Sequence, residues 1–137
     1  MRRNFSRSFN SLADILGFTN EFFGATVIEP SIRYVVDLAI DELFTNMVKY
    51  NANSSADIGV SFAQTDTVIT VTLIDYESGY FDITKARAVD INVPAEERAI
   101  GGLGLHLVHQ MVDSLQYDYD AGVSTIVFTK NKEVENA

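Results

Sequence analysis

The sequence predicts an α+β two-layer sandwich, with helices on one face of a mainly antiparallel sheet. Strand-patterned runs arrive in pairs with short turns between them, residues 56–63 with 67–74 and residues 115–120 with 123–130, and each pair reads as a β-hairpin. Residues 32–50 carry a helical repeat rather than strict alternation. Paired strands set apart by helices favour a sheet with its helices segregated to one side. A chain of 137 residues is long enough to build one such domain without metal or disulfide staples.

Each element has its own local reason. Residues 4–9 alternate polar and aromatic side chains (Phe5, Phe9) and read as a short edge strand. Asn10 or Ser11 can cap a helix that runs to about Gly24, with Leu12, Ile15, Leu16, Phe22 and Phe23 on one face. Pro30 and Ser31 open the strongest helix, 32–50, because proline is tolerated in a first turn whose N–H groups have no partner. Within it, Asp37, Asp41 and Thr45 fall on one solvated side, and Lys49 reads as surface. Residues 51–55, N-A-N-S-S, form a loop, and the hairpin that follows turns at Gln64-Thr65-Asp66. Residues 83–100 mix charges around Pro94 with little periodicity. They read as a short helical turn and then a lid-like connection. A helix over 103–114 precedes the last two strands, which are joined by Ala121-Gly122, and residues 131–137 read as a tail.

Composition narrows the function. The absence of cysteine excludes thiol catalysis, thiolate metal sites and disulfides, and fits a reducing compartment, so the cytoplasm is the expected location. Net charge is −9 and the Lys and Arg residues are scattered, so nucleic-acid binding is not expected. The N-terminus, M-R-R-N-F-S-R-S-F-N, has no apolar run behind its basic residues and does not read as a signal peptide. No later stretch stays apolar for long enough to span a bilayer.

Three stretches carry chemistry. In A-I-G-G-L-G-L-H-L-V-H-Q-M-V-D, residues 99–113, glycines bring bare backbone N–H groups to the start of a helix, which is how a chain cradles an anion. In the long helix, Glu42 and Asn46 are i,i+4 neighbours off the solvated side, among Val35, Leu38 and Ala39. A carboxylate and an amide there need partners, which a cation, a ligand or one another would supply. Asp75 ends a strand and is followed by a Gly79-containing turn, where a fixed carboxylate can meet a ligand or simply close a turn.

Taken together, D-E-L-F-T-N-M-V-K-Y-N, D-Y-E-S-G-Y-F-D and G-G-L-G-L-H-L-V-H-Q-M-V-D resemble the N box and the two glycine boxes of the GHKL ATP-binding superfamily. The wording of the boxes is most similar to the anti-sigma factor serine-protein kinases of the RsbW and SpoIIAB type, over residues 31–130. The resemblance implies the Bergerat fold, helices on a mixed sheet with nucleotide under a lid, in a single domain spanning 1–137. It assigns Asn46 to Mg²⁺ and Glu42 to the general base. It gives Asp75 to the adenine amino group, Gly79 to the loop against the base, and Gly102, Gly104 and Leu105 to the phosphate turn. Thr125 falls where the family has a threonine near the adenine. Glu77 departs from the pattern, standing where the first glycine of Asp-x-Gly-x-Gly is usual; if the backbone there needed positive φ, a glutamate would be strained. The implied function is an ATP- and Mg²⁺-dependent serine/threonine kinase that phosphorylates a small STAS-type anti-sigma antagonist and alternately holds a sigma factor. A homodimer is implied too, with Phe5, Phe9 and the first helix offering apolar surface. The alternative is a binding module of the same fold that regulates a partner without nucleotide turnover. His106 and His109, the two histidines, read as packing or surface residues of the third helix.

Overall fold

A computed structural model describes residues 1–50, 54–77 and 102–133. The elements are β1 (Arg2–Phe5), α1 (Ser11–Phe23), α2 (Pro30–Tyr50), β2 (Ile58–Gln64), β3 (Val68–Asp75), α3 (Gly102–Met111), β4 (Ser114–Asp120) and β5 (Val123–Asn131). The expected α+β sandwich is what the chain forms. Its five strands lie in the order β1-β2-β3-β5-β4.

Every neighbouring pair among the described strands is antiparallel. The reason is topological. β3 and β4 run in the same direction, but the β4–β5 hairpin folds back so that β5 lies between them.

Alternation along β3 sorts its side chains. Ile69, Val71, Leu73 and Asp75 are buried beneath the helices, while Val68, Thr70, Thr72 and Ile74 are half-buried on the other face. β5 repeats this with Ser124, Ile126 and Phe128 inward. The core gathers these residues with Ile58, Val60 and Phe62 of β2 and the inner sides of all three helices. Burying each such side chain contributes roughly 1.5–3 kcal/mol before entropy is counted.

α2 is the central helix. Its first turn is held by the N–H groups of Ile32 and Arg33, both donating to Glu29 O at 3.0 Å, and Arg33 pairs with Asp37 one turn on. Ile32, Val36, Ala39, Ile40, Leu43, Phe44 and Met47 are buried, whereas Asp41 and Lys49 are exposed. In α1 the buried residues are Ser11, Ile15, Phe18, Thr19 and Phe23; Leu16 is exposed and Leu12 and Phe22 are only partly buried. Phe18, which the sequence pattern did not single out, sits between Phe5 and Phe62 with ring centroids 5.8 and 5.3 Å away. Asn10 precedes the helix but makes no side-chain cap bond. Ser11 instead donates to Ser6 O at 2.8 Å.

Several boundaries differ from expectation. The first strand is Arg2–Phe5, not 4–9, because Arg2 to Phe5 find partners on β2 and the chain then turns at Ser6–Asn10 into α1. α3 stops at Met111, and β4 begins at Ser114 because Asp113 N already donates to Thr129 O at 2.9 Å. β5 runs on to Asn131, and Lys132 N donates to Thr67 O, so the tail begins later than residue 131. The lid-like stretch 83–100, Gly79 and residues 134–137 lie outside the described residues. No helix among the described residues is long and apolar enough to cross a membrane.

The β4–β5 hairpin turns through Ala121 at φ 50° and Gly122 at φ 84°. Two central residues with positive φ are what a type I′ turn requires, and alanine is poorly suited to the first of them. Ala121→Asn should therefore stabilise the fold by about 0.5–1 kcal/mol, since Asn-Gly is the preferred pair. Urea unfolding checks this: an unchanged or lower midpoint at constant slope would mean the turn carries no strain.

Candidate functional site

α2 lines up the polar residues of the site along its length. Glu42 and Asn46 are one turn apart, about 6 Å along the axis. Glu42 faces the start of α3, and its carboxylate packs directly on Gly104. A Cβ at that position would have all three of its nearest atoms in the Glu42 carboxyl group, far inside contact distance. A side chain there would push the Glu42 carboxyl group aside. The carboxyl is half-buried, and its pKa is raised above the usual 4.5 by burial first and by the Asp41 charge second, with Lys49 pulling it down.

Asn46 is buried, 4% exposed, and its Oδ1 has no hydrogen-bond partner among the described residues. A buried carbonyl oxygen without a donor costs about 1–3 kcal/mol. An oxygen of this kind is a suitable ligand for a hard cation such as Mg²⁺, which takes one or two protein oxygens and completes its shell with water and phosphate. The residues present thus fit a Mg²⁺–nucleotide.

At the start of α3, Gly102 and Gly104 occupy the first turn, where unpaired N–H groups and the helix dipole favour an anion. Leu105 is 4% exposed and its side chain belongs to the hydrophobic core, so only its backbone N–H is available to that turn.

Asp75, at the end of β3, is 2% exposed. Arg7 grips it from the β1–α1 connection, with Nη2 donating to Oδ1 at 2.5 Å and Nη1 to Oδ2 at 3.2 Å. The same guanidinium donates from Nη1 to Met47 O and from Nε to Ala56 O, so it joins β3 to the residue after Asn46. Glu77 N donates to Asp75 Oδ1 at 3.2 Å. Among the described non-glycine residues only Ala121 has positive φ, so Glu77 carries none of the backbone strain that a glutamate in the glycine position would bring.

Strand register corrects one residue. Asp75 stands opposite Ser124, and Ile74 opposite Thr125. Directly paired residues share a face, so Ser124, which is 4% exposed, lies on the Asp75 side while Thr125 points to the far face of the sheet. Thr125 is therefore not brought to the site and Ser124 is, with the Tyr117 hydroxyl 3.3 Å from its Oγ. Alternation counted back from Phe128 and Ile126 is the signal that finds it. Arg7 has no such local signal, since it meets Asp75 across 68 positions of sequence. The structure brings Glu42, Asn46, Gly102, Gly104 and Asp75 to one side of the sheet, around α2. His106 and His109 are half-buried on α3.

The chain is similar to known proteins. The family model of the histidine kinase-like ATPase domain matches residues 5–130. The serine-protein kinase RsbW of Listeria monocytogenes is 29% identical over 105 residues, which span 72% of this chain and 67% of that protein. RsbW of Bacillus mycoides is 27% identical, over 72% of this chain and 66% of its own length. Among solved structures, the RsbU and RsbW domains of Rv1364c from Mycobacterium tuberculosis share the fold, with a TM-score of 0.67 and 16% identity over 95% of this chain. This chain spans 31% of that one. The family model covers most of the chain, and the chain belongs to the histidine kinase-like ATPase domain family.

Proposed function

We propose that this chain is an ATP- and Mg²⁺-dependent serine/threonine protein kinase of the anti-sigma type. In this reading it phosphorylates a small STAS-type antagonist and alternately sequesters a sigma factor in the cytoplasm. The observation that carries it is the contact of the Glu42 carboxylate with Gly104 at the start of α3, one turn from the unpartnered Oδ1 of Asn46. A base, a metal ligand and an anion cradle are thereby held on two packed helices.

ATP supplies the γ-phosphoryl group and Mg²⁺ neutralises its charge. The work of the chain is positioning and proton transfer. The Asn46 oxygen would hold the cation, and the N–H groups at the start of α3 would hold the phosphates. Glu42 would take the proton of the acceptor hydroxyl as the hydroxyl oxygen bonds to the γ-phosphorus and the bond from that phosphorus to the β–γ bridging oxygen breaks, with ADP leaving. Asp75 accepts from the adenine amine, with Ser124 beside it. A homodimer is part of the proposal, but Phe5 is buried and has no part in its surface; Phe9 and Leu16, each about half exposed, remain available.

The experiment is incubation of the purified chain with labelled ATP, Mg²⁺ and a candidate antagonist. Label on a serine or threonine of the antagonist is the expected result. ATP binding with no transfer would favour a regulatory module without turnover. The strain at Glu77 that would have favoured that module is not present in the fold.

A further inference from the structure

Arg7 lies outside the three boxes, yet it is the residue most tightly engaged with Asp75. Both side chains are almost wholly buried, 2% and 3% exposed. The guanidinium is anchored to two main-chain carbonyls, Met47 O and Ala56 O, so its place is set by α2 and the entry to β2 as well as by Asp75. A guanidinium only donates hydrogen bonds. Both oxygens of Asp75 must therefore act as acceptors, and the carboxyl has no position from which to offer a proton toward Arg7.

The remaining capacity of the pair can be counted. Oδ1 accepts from Arg7 Nη2 and from Glu77 N, which uses both of its lone pairs. Oδ2 accepts only from Arg7 Nη1 among the described residues, which leaves one lone pair. The base-facing capacity of Asp75 is thus a single acceptor, held at a fixed oxygen.

We infer that Arg7 determines the base specificity of the site, by locking Asp75 as an acceptor that takes the 6-amino group of adenine and rejects a 6-carbonyl purine. The inference rests on the reading of Asp75 as the base-recognising carboxylate. Arg7 does not touch the base; it acts through Asp75, as a positioning residue. Without the cation, a buried carboxyl is driven to take up a proton. A protonated acid can donate to a carbonyl oxygen, so the distinction between amine and carbonyl narrows.

The test is titration calorimetry with ADP and inosine diphosphate, IDP, which carries a carbonyl at the same position. The wild-type chain should prefer ADP by about a hundredfold or more, because a carbonyl facing an obligate acceptor leaves two buried oxygens unpaired. In Arg7→Met the preference should fall below about tenfold through a gain in IDP affinity. Arg7→Gln removes the cation but keeps an N–H donor, and serves as the neutral variant if the methionine fails to fold; thermal melting establishes which variants are folded. Arg7→Lys keeps the cation and should keep the wild-type ratio.

A folded neutral variant with the wild-type ratio would make Arg7 purely structural and overturn the inference while leaving Asp75 as the base reader. So would a lysine variant that binds ADP normally but has lost the preference. Tighter ADP binding by Arg7→Met would overturn it too, by showing that Arg7 competes with the base. If the wild-type chain binds neither nucleotide, the reading of Asp75 falls and the inference with it.

Discussion

Glu42→Gln is expected to keep nucleotide binding and lose phosphoryl transfer by roughly 10²–10⁴-fold, the usual worth of a positioned general base. The amide has nearly the shape of the carboxyl, so its contact with Gly104 survives. What it loses is the capacity to take a proton. Single-turnover transfer from labelled ATP, beside an ADP titration, separates the two effects, and transfer at the wild-type rate would remove Glu42 from the mechanism. The pH dependence follows from the raised pKa of this carboxyl. Transfer needs the ionised form, so the rate should fall as pH drops through a value above 4.5, a limb absent from Glu42→Gln. Stability has the opposite sign. Burial penalises the charged form, a cost absent below the unfolded value and complete above the folded one, so stability declines as pH rises through that window. Glu42→Gln should therefore melt slightly higher than wild type at neutral pH and no higher in acid.

The second large effect is expected from Asn46→Ala. Removing the metal ligand should abolish the gain in nucleotide affinity that Mg²⁺ confers, so that titrations with and without the metal converge. The fold should tolerate the change. A buried truncation ordinarily leaves a destabilising cavity, but here it also removes an acceptor that has no donor among the described residues, and the two contributions oppose each other. Melting within a few degrees of wild type, together with loss of the Mg²⁺ increment, is the joint signature of a residue kept for ligand rather than for stability. If the increment is the same as in the wild-type chain, the cation is held elsewhere.

Much of the architecture was legible because it is written in short-range periodicity. The repeat of 3.6 placed α2 and put Glu42 and Asn46 one turn apart on a side that was not fully solvated. The pairing of strands across short turns showed both hairpins. Glycines before an apolar helical run marked the start of α3. Strand ends were less legible, since β1 ends where its pairing with β2 ends and not where alternation of side chains stops.

The sequence by itself determined which residues stand together within one element: Glu42 with Asn46, the glycines of α3, and Asp75 at the end of a strand. Spacing along a helix or strand is a local property, fixed by backbone geometry. Tertiary structure alone decided what those residues meet. It pressed the Glu42 carboxylate onto Gly104, turned Ser124 rather than Thr125 toward Asp75 through a register of one residue, and brought Arg7 across 68 positions to the same carboxylate. Such contacts depend on which faces pack together and on strand register, and neither is encoded in the few residues around any one of them.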